Sequence, residues 1–264
     1  MKRVLIFTMN KVLIASGDSF TAPAASMSSW AYDKDIIFWP ELLAEKLEMD
    51  CINVGKGGVG NEFIYNSMVD ALSQTDNVGL AICLWSHFDR WDFGDWSFKV
   101  NPKSKNPFRG YGSPELAKSH QKVLDALFET ELVDSEYNLR KSIRWFNAFQ
   151  NFCLCNDISF LQAGAFYPLE HNADASINSK LIKSMFMLPL YDSIKTENFL
   201  GWPIISRIGG FSMSNQLTWA EGYATIPKNL GDSKYRIGNG DYHPNQAGHD
   251  LISEIFYDQW LKRY

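Results

Sequence analysis

An acidic chain of 264 residues, with 30 Asp and Glu against 25 Lys and Arg for a net charge of −5, lacks the basic face that nucleic acid requires. That length suffices for one large domain burying about three-quarters of its unfolded surface, so no disulfide or metal staple is needed. The four cysteines, Cys51, Cys83, Cys153 and Cys155, lie in or beside apolar runs without paired CxxC spacing and read as buried reduced thiols. The N-terminal apolar run is cut by Asn10 and Lys11, too short for a signal-peptide core, and nothing approaches the roughly 20 apolar residues of a membrane span. The expectation is a soluble cytoplasmic protein that meets neither membrane nor nucleic acid.

Along the chain, short apolar runs alternate with helical patterns, as in a parallel sheet covered by helices. Lys11–Ser16 is the expected first strand, Cys51–Val54 the second, Gly79–Trp85 the third and Ile158–Gly164 the fourth. None alternates strictly, as suits strands buried on both faces. Between the first two, FWPELLAEKLEM places Leu42, Leu43 and Leu47 on one side of a helix with Pro40 in its first turn. NEFIYNSMVDAL then sets Phe63, Ile64, Met68, Ala71 and Leu72 on one face, with Asn61 as the expected N-cap. A helix opening at Ser113 and Pro114 and another carrying Leu139, Ile143, Phe146 and Phe149 follow the third strand. AGHDLISEIFYDQWLKRY closes the chain as an amphipathic helix.

Two aromatic stretches, at about 91–112 and 167–239, interrupt this alternation. They read as inserts at the edge beyond the carboxyl ends of the strands, where open parallel sheets bind ligands. The architecture implied is a single domain over residues 1–264, a three-layer α/β/α sandwich with a mostly parallel, flavodoxin-like central sheet.

Three short stretches carry the chemistry. In IASGDSF, Ser19 stands where the first strand ends, a place for a turn residue unless partners make it a nucleophile; the GxSxG elbow is absent. NVGKGGVGN, Asn53 to Asn61, is a glycine loop before a helix, suited to presenting backbone N–H groups to an anion, though without the dinucleotide-binding spacing. Near the C-terminus Asp241 precedes His243 by two residues, offering the orienter and base that a serine nucleophile needs. The rival there is a metal site formed by His243, His249 and Asp250, whose spacing suits neither a helix face nor a strand face.

Gly17-Asp18-Ser19, Asn53-x-Gly55-x-Gly57-Gly58 and the DYHPNQAGH segment together resemble the SGNH (GDSL-type) hydrolase superfamily, in its block order and over nearly the whole chain. The resemblance implies an α/β fold of SGNH type and a carboxylic ester hydrolase with a catalytic triad and no metal or organic cofactor. Ser19 matches the serine nucleophile, His243 the base and Asp241 the orienting acid, at minus two where the usual minus-three position holds Gly240. Ser19 and Gly58 match the backbone donors of the oxyanion hole. The family's third block, Gly-x-Asn-Asp, is replaced by LWSHFDR; His87 is the first choice for the missing donor and Ser86 the second, with Arg90 reaching from the same loop.

Asp18, Asn61, Arg90 and Trp91 border these blocks as expected substrate contacts. The substrate expected is a small-molecule or glycan ester, first an O-acetylated carbohydrate stacked on rings of the two inserts: Trp91, Phe93, Trp96, Phe108 and Tyr111, and Trp202, Phe211, Trp219 and Tyr223. The altered third block keeps open a non-catalytic carbohydrate-binding module, and the same residues would serve an acyltransferase. Oligomeric state is not legible.

Overall fold

A computed structural model describes residues 10–23, 35–93, 96–99, 122–123, 125–127, 129–130, 135–166, 175–227 and 230–264. Its centre is a five-stranded sheet of β1 (Val12–Gly17), β2 (Asp50–Asn53), β3 (Val78–Trp85), β6 (Phe160–Gly164) and β7 (Phe199–Leu200), in the order β2-β1-β3-β6-β7 with every pairing parallel. Gly17 pairs with Leu84, and Trp85 with Gly164, so the carboxyl ends of β1, β3 and β6 lie along one edge. The order reverses between β1 and β3, the topological switch point where an α/β sheet opens a crevice.

The unbroken apolar runs are explained by the pleat, which sends successive side chains to opposite faces. Leu13, Ala15, Leu80, Ile82 and Leu84 enter one core, shared with Trp39 and Leu43 of α1 (Trp39–Lys46) and Ile252 and Phe256 of the C-terminal helix. Ile14, Ala81, Cys83 and Trp85 enter the other, against Ile64 and Met68 of α2 (Asn61–Gln74) and Ile143, Phe146 and Phe149 of α3 (Ser135–Cys155). Each large apolar side chain so buried stabilises the fold by about 1.5–3 kcal/mol. The three layers are therefore set by two cores on the two faces of one sheet.

Several expectations are corrected. Asn61 is the first residue of α2 and not its cap; Gly60 is, and its N–H and that of Phe63 donate to the Asp92 carboxylate at 2.7 and 2.9 Å. A side chain at position 60 would stand 2.7 Å from Asp92 Oδ2, so only glycine lets that carboxylate cap the helix. Cys155 is exposed at the last position of α3, where the helix face turns outward, while Cys83 and Cys153 are buried.

The stretch read as a first insert begins with a hairpin of β4 (Arg90–Phe93) and β5 (Trp96–Lys99). The second contains α4 (Ala175–Phe186), α5 (Met213–Ala220) and β8 (Arg236–Gly238), yet it also supplies β7, the edge strand of the central sheet. Two residues are too few to leave a periodic signal. The helix start at Ser113 and Pro114, and the rings of Phe108 and Tyr111, lie outside the described residues. The chain ends with β9 (Asp241–Pro244) and α6 (Gln246–Arg263), and no helix among the described residues is long and apolar enough to cross a membrane.

Candidate active site

Ser19 follows β1 in a turn built by its neighbour. The Asp18 carbonyl accepts from the Thr21 and Ala22 N–H groups, both at 2.8 Å, and its carboxylate accepts from the Phe20 N–H at 3.0 Å. Gly17 makes the turn possible, since a Cβ there would run into the Thr21 side chain and stand 2.9 Å from the Leu84 carbonyl. The result is a recessed serine, 7% exposed, at the switch-point edge.

From the far end of the chain, the β8–β9 hairpin brings a histidine to it. His243 Nε2 lies 2.9 Å from Ser19 Oγ, and His243 Nδ1 lies 2.7 Å from Asp241 Oδ1. That carboxylate oxygen also accepts from the His243 backbone N–H at 2.9 Å, which fixes the two residues relative to each other. A proton on Nδ1 satisfies the aspartate bond and leaves Nε2 to accept from the serine hydroxyl. Burial pushes the Asp241 carboxyl up, but the hydrogen bonds from the His243 ring and backbone, with the imidazole charge, outweigh it and hold the group below its ordinary value.

The hairpin turn explains why the acid stands two residues before the histidine. Asn239 and Gly240 both have positive φ, 51° and 85°, the two-residue turn that joins tightly paired strands. Position 240 is therefore spent on the turn, and the first residue able to aim a side chain at the imidazole is Asp241.

The glycine loop is tied alongside by Val54 N–H to the Ala15 carbonyl at 2.9 Å and Lys56 N–H to the Gly17 carbonyl at 3.0 Å. Asn53 pins both sides of it: its amide donates to the Thr21 carbonyl at 2.8 Å while its oxygen accepts from Gly55 N–H at 3.1 Å. Gly58 has φ 79° with open space where a side chain would project. Among the described residues, neither the Ser19 nor the Gly58 N–H donates to a protein acceptor.

The loop after β3 departs from the expected roles. Ser86 Oγ donates to Asp18 Oδ2 at 2.7 Å, so the hydroxyl expected as an alternative oxyanion donor is committed to the buried carboxylate. Asn61, 3% exposed, clamps the Ser86 backbone, accepting from its N–H at 2.8 Å and donating to its carbonyl at 3.3 Å and to Ser142 at 2.9 Å. Asp18 is fully buried, and Trp91 Nε1–H donates to Asn138 Oδ1 at 2.8 Å. Asp18, Asn61 and Trp91, expected as substrate contacts, thus commit these polar groups to the scaffold behind the site.

His87 is 7% exposed and stacks on Phe166, with ring centroids 4.5 Å apart and planes within 8°. Phe166 also meets Phe20 edge-on at 4.6 Å, and the Arg90 guanidinium lies 5.7 Å from its ring centroid. This ring, just beyond β6, is the main element that sequence reasoning missed. Its position at a strand's carboxyl end was the available signal.

The rival metal set does not converge. His249 is fully buried against Phe38, at 4.4 Å between ring centroids, whereas Asp250 is exposed and bonded to Gln246. No group of three potential ligands gathers among the described residues. A cavity of about 640 Å³ is lined by residues such as Asp232, Arg236, Asn245 and Gln246, and none of Ser19, Asp241 and His243 lines it.

Among the solved structures that the chain resembles are GDSL-type lipolytic proteins and esterases. One is a G-D-S-L family protein from Desulfitobacterium hafniense, 14% identical with a TM-score of 0.47, covering 95% of this chain and 99% of its own. Another is a psychrotrophic esterase from Pseudoalteromonas, 11% identical with a TM-score of 0.49, covering 96% and 98%. A family two carbohydrate esterase from Cellvibrio japonicus is 13% identical with a TM-score of 0.41, covering 96% of this chain and 62% of its own. No protein-family model and no curated protein matches the sequence.

Proposed function

We propose that the chain is a serine ester hydrolase of SGNH type in which Ser19 is the nucleophile, His243 the general base and Asp241 the residue that orients it. The observation carrying this reading is the continuous hydrogen-bonded line from Ser19 Oγ through both imidazole nitrogens to Asp241, at 2.9 and 2.7 Å. A serine hydroxyl is a weak nucleophile at neutral pH, and an imidazole at hydrogen-bond distance, held by a carboxylate, removes that weakness.

In this mechanism His243 Nε2 takes the hydroxyl proton as Ser19 Oγ bonds to the ester carbonyl carbon. The carbonyl oxygen becomes an oxyanion facing the Ser19 and Gly58 N–H groups, and His87 is the candidate third donor now that Ser86 is engaged elsewhere. The imidazolium, stabilised by Asp241, then returns its proton to the leaving alcohol. Water cleaves the acyl-serine by the same path in reverse. Removing one donor from such a hole lowers kcat by about 10²- to 10³-fold, so the substituted third block bears on rate more than on reaction type.

For substrate, the proposal is an O-acetylated carbohydrate. A nucleophile only 7% exposed and followed in the chain by Phe20, whose ring packs on Phe166, favours a short acyl group. Of the rings considered for sugar stacking, Trp219 and Tyr223 are 40% and 51% exposed, whereas Trp202 packs on Tyr191 and Phe199.

The decisive experiment treats wild type and Ser19→Ala with p-nitrophenyl acetate and butyrate and with a fluorophosphonate. Turnover and labelling of wild type alone are expected. Wild type that neither turns over nor labels, or a variant that behaves identically, overturns the proposal.

A further inference from the structure

Three segments must hold a fixed relation for the proposed reaction: the Ser19 turn, the glycine loop with Gly58, and the loop after β3. A single atom touches all three. Arg90 Nη1 donates to Asp18 Oδ2 at 2.9 Å, to the Val59 carbonyl at 3.0 Å and to Ser86 Oγ at 2.7 Å. Asp18 immediately precedes the nucleophile, Val59 immediately follows Gly58, and Ser86 opens the loop that lacks the asparagine. The Ser86 hydroxyl donates in turn to Asp18 Oδ2, which closes the network.

The charge arrangement gives this contact its purpose. Asp18 is fully buried, and a buried carboxylate needs a charged, hydrogen-bonded partner. Arg90 supplies one with its side chain only 15% exposed. Its Nη1 is already shared among three protein acceptors, so this nitrogen faces the scaffold. A contact of this kind acts on geometry, by setting how far apart the Ser19 and Gly58 N–H groups stand.

We infer that Arg90 is a positioning residue that fixes the two backbone oxyanion donors relative to each other in a chain without the third-block asparagine. The inference rests on the esterase reading for its catalytic consequence, but the tie among the three loops is testable without it. A displacement of about 1 Å at a reacting centre lowers rate by about 10²-fold. Binding that is equal in ground and transition states is not disturbed by such a shift.

The test is steady-state kinetics on p-nitrophenyl acetate for wild type, Arg90→Gln and Arg90→Lys, with hydrogen exchange measured on each. Arg90→Gln is expected to lower kcat by about 10²-fold with KM nearly unchanged. Because one nitrogen makes all three side-chain hydrogen bonds, Arg90→Lys is expected to recover most of kcat. Exchange in Arg90→Gln is expected to quicken in both the 17–22 and 56–60 segments. An unchanged kcat, or a raised KM at constant kcat, overturns the inference, the latter by making Arg90 a substrate contact.

If Arg90→Gln does not fold, Ser86→Ala takes its place, with a smaller fall in kcat expected at constant KM and an unchanged kcat overturning the inference. If wild type neither labels nor turns over, the hydrolase reading has failed on its own. The tie is then judged by exchange, and quickening confined to the loop after β3 overturns it.

Discussion

Two histidines six residues apart in the same C-terminal stretch have opposite fates. His243 sits on β9 with its side chain 35% exposed and both ring nitrogens engaged, one by Ser19 and one by Asp241. His249 lies in α6, fully buried beside Phe38, and among the described residues neither of its ring nitrogens has a hydrogen-bond partner. Burial, with a smaller contribution from the charge of His243, pushes its imidazole down to about 3. Residue type alone says nothing about which of them can move a proton. The hairpin turn at Asn239-Gly240 delivers one ring to the serine, and the helix delivers the other into the core.

Substitution at the two positions separates them most sharply. His243→Ala, like Ser19→Ala, is expected to reduce kcat on p-nitrophenyl acetate by about 10⁶-fold, while His249→Leu leaves turnover of the folded protein unchanged. Comparable losses from both histidines would dissolve the distinction. Next in size, Asp241→Asn is expected to lower kcat by about 10³- to 10⁴-fold, because the amide no longer holds the proton on Nδ1. Retained activity there would assign the orientation of His243 to another group.

A third histidine refines the contrast, for His87 is buried like His249 yet follows β3 and stacks on Phe166 at the sheet edge that carries Ser19. His87→Ala is expected to lower kcat by about 10²-fold, with His87→Asn restoring much of it, as read by single-turnover rates. Failure of the asparagine to rescue would remove His87 from the oxyanion hole and leave it as packing for Phe166.

The smallest effect is on stability. His249 is neutral in the folded state, and the unfolded chain takes up a proton there below pH 6.5. Stability is therefore expected to fall as pH drops from 6.5 towards 3, with no contribution above that window. Urea midpoints across this range should depend less on pH in His249→Leu than in wild type. Equal slopes would mean that another group drives the acid response.

Much of the fold was legible because periodicity records burial locally. The runs around Ile14 and Ile82 are apolar on successive residues, those around Ile52 and Leu161 are interrupted by Asn53 and Gln162, and each is a strand of the parallel sheet. The helical faces bearing Met68 and Phe146 pack as their spacing requires. Asn61 was misread for the opposite reason: a helix start draws attention to the nearest side-chain cap, and nothing local announces that Asp92, from strand β4, caps α2 while Asn61 clamps Ser86.

Ser19, Asp241 and His243 were singled out by residue chemistry together with the family resemblance, whereas the hairpin signal of Asn239-Gly240 went unread. Their meeting across 224 residues was not, nor was the conversion of Asp18, Ser86 and Arg90 into one network behind the serine. Local side-chain preferences set where strands, helices and turns begin. Which loop groups become partners depends on how parallel strands align their carboxyl ends, and that alignment exists only once both faces of the sheet are packed.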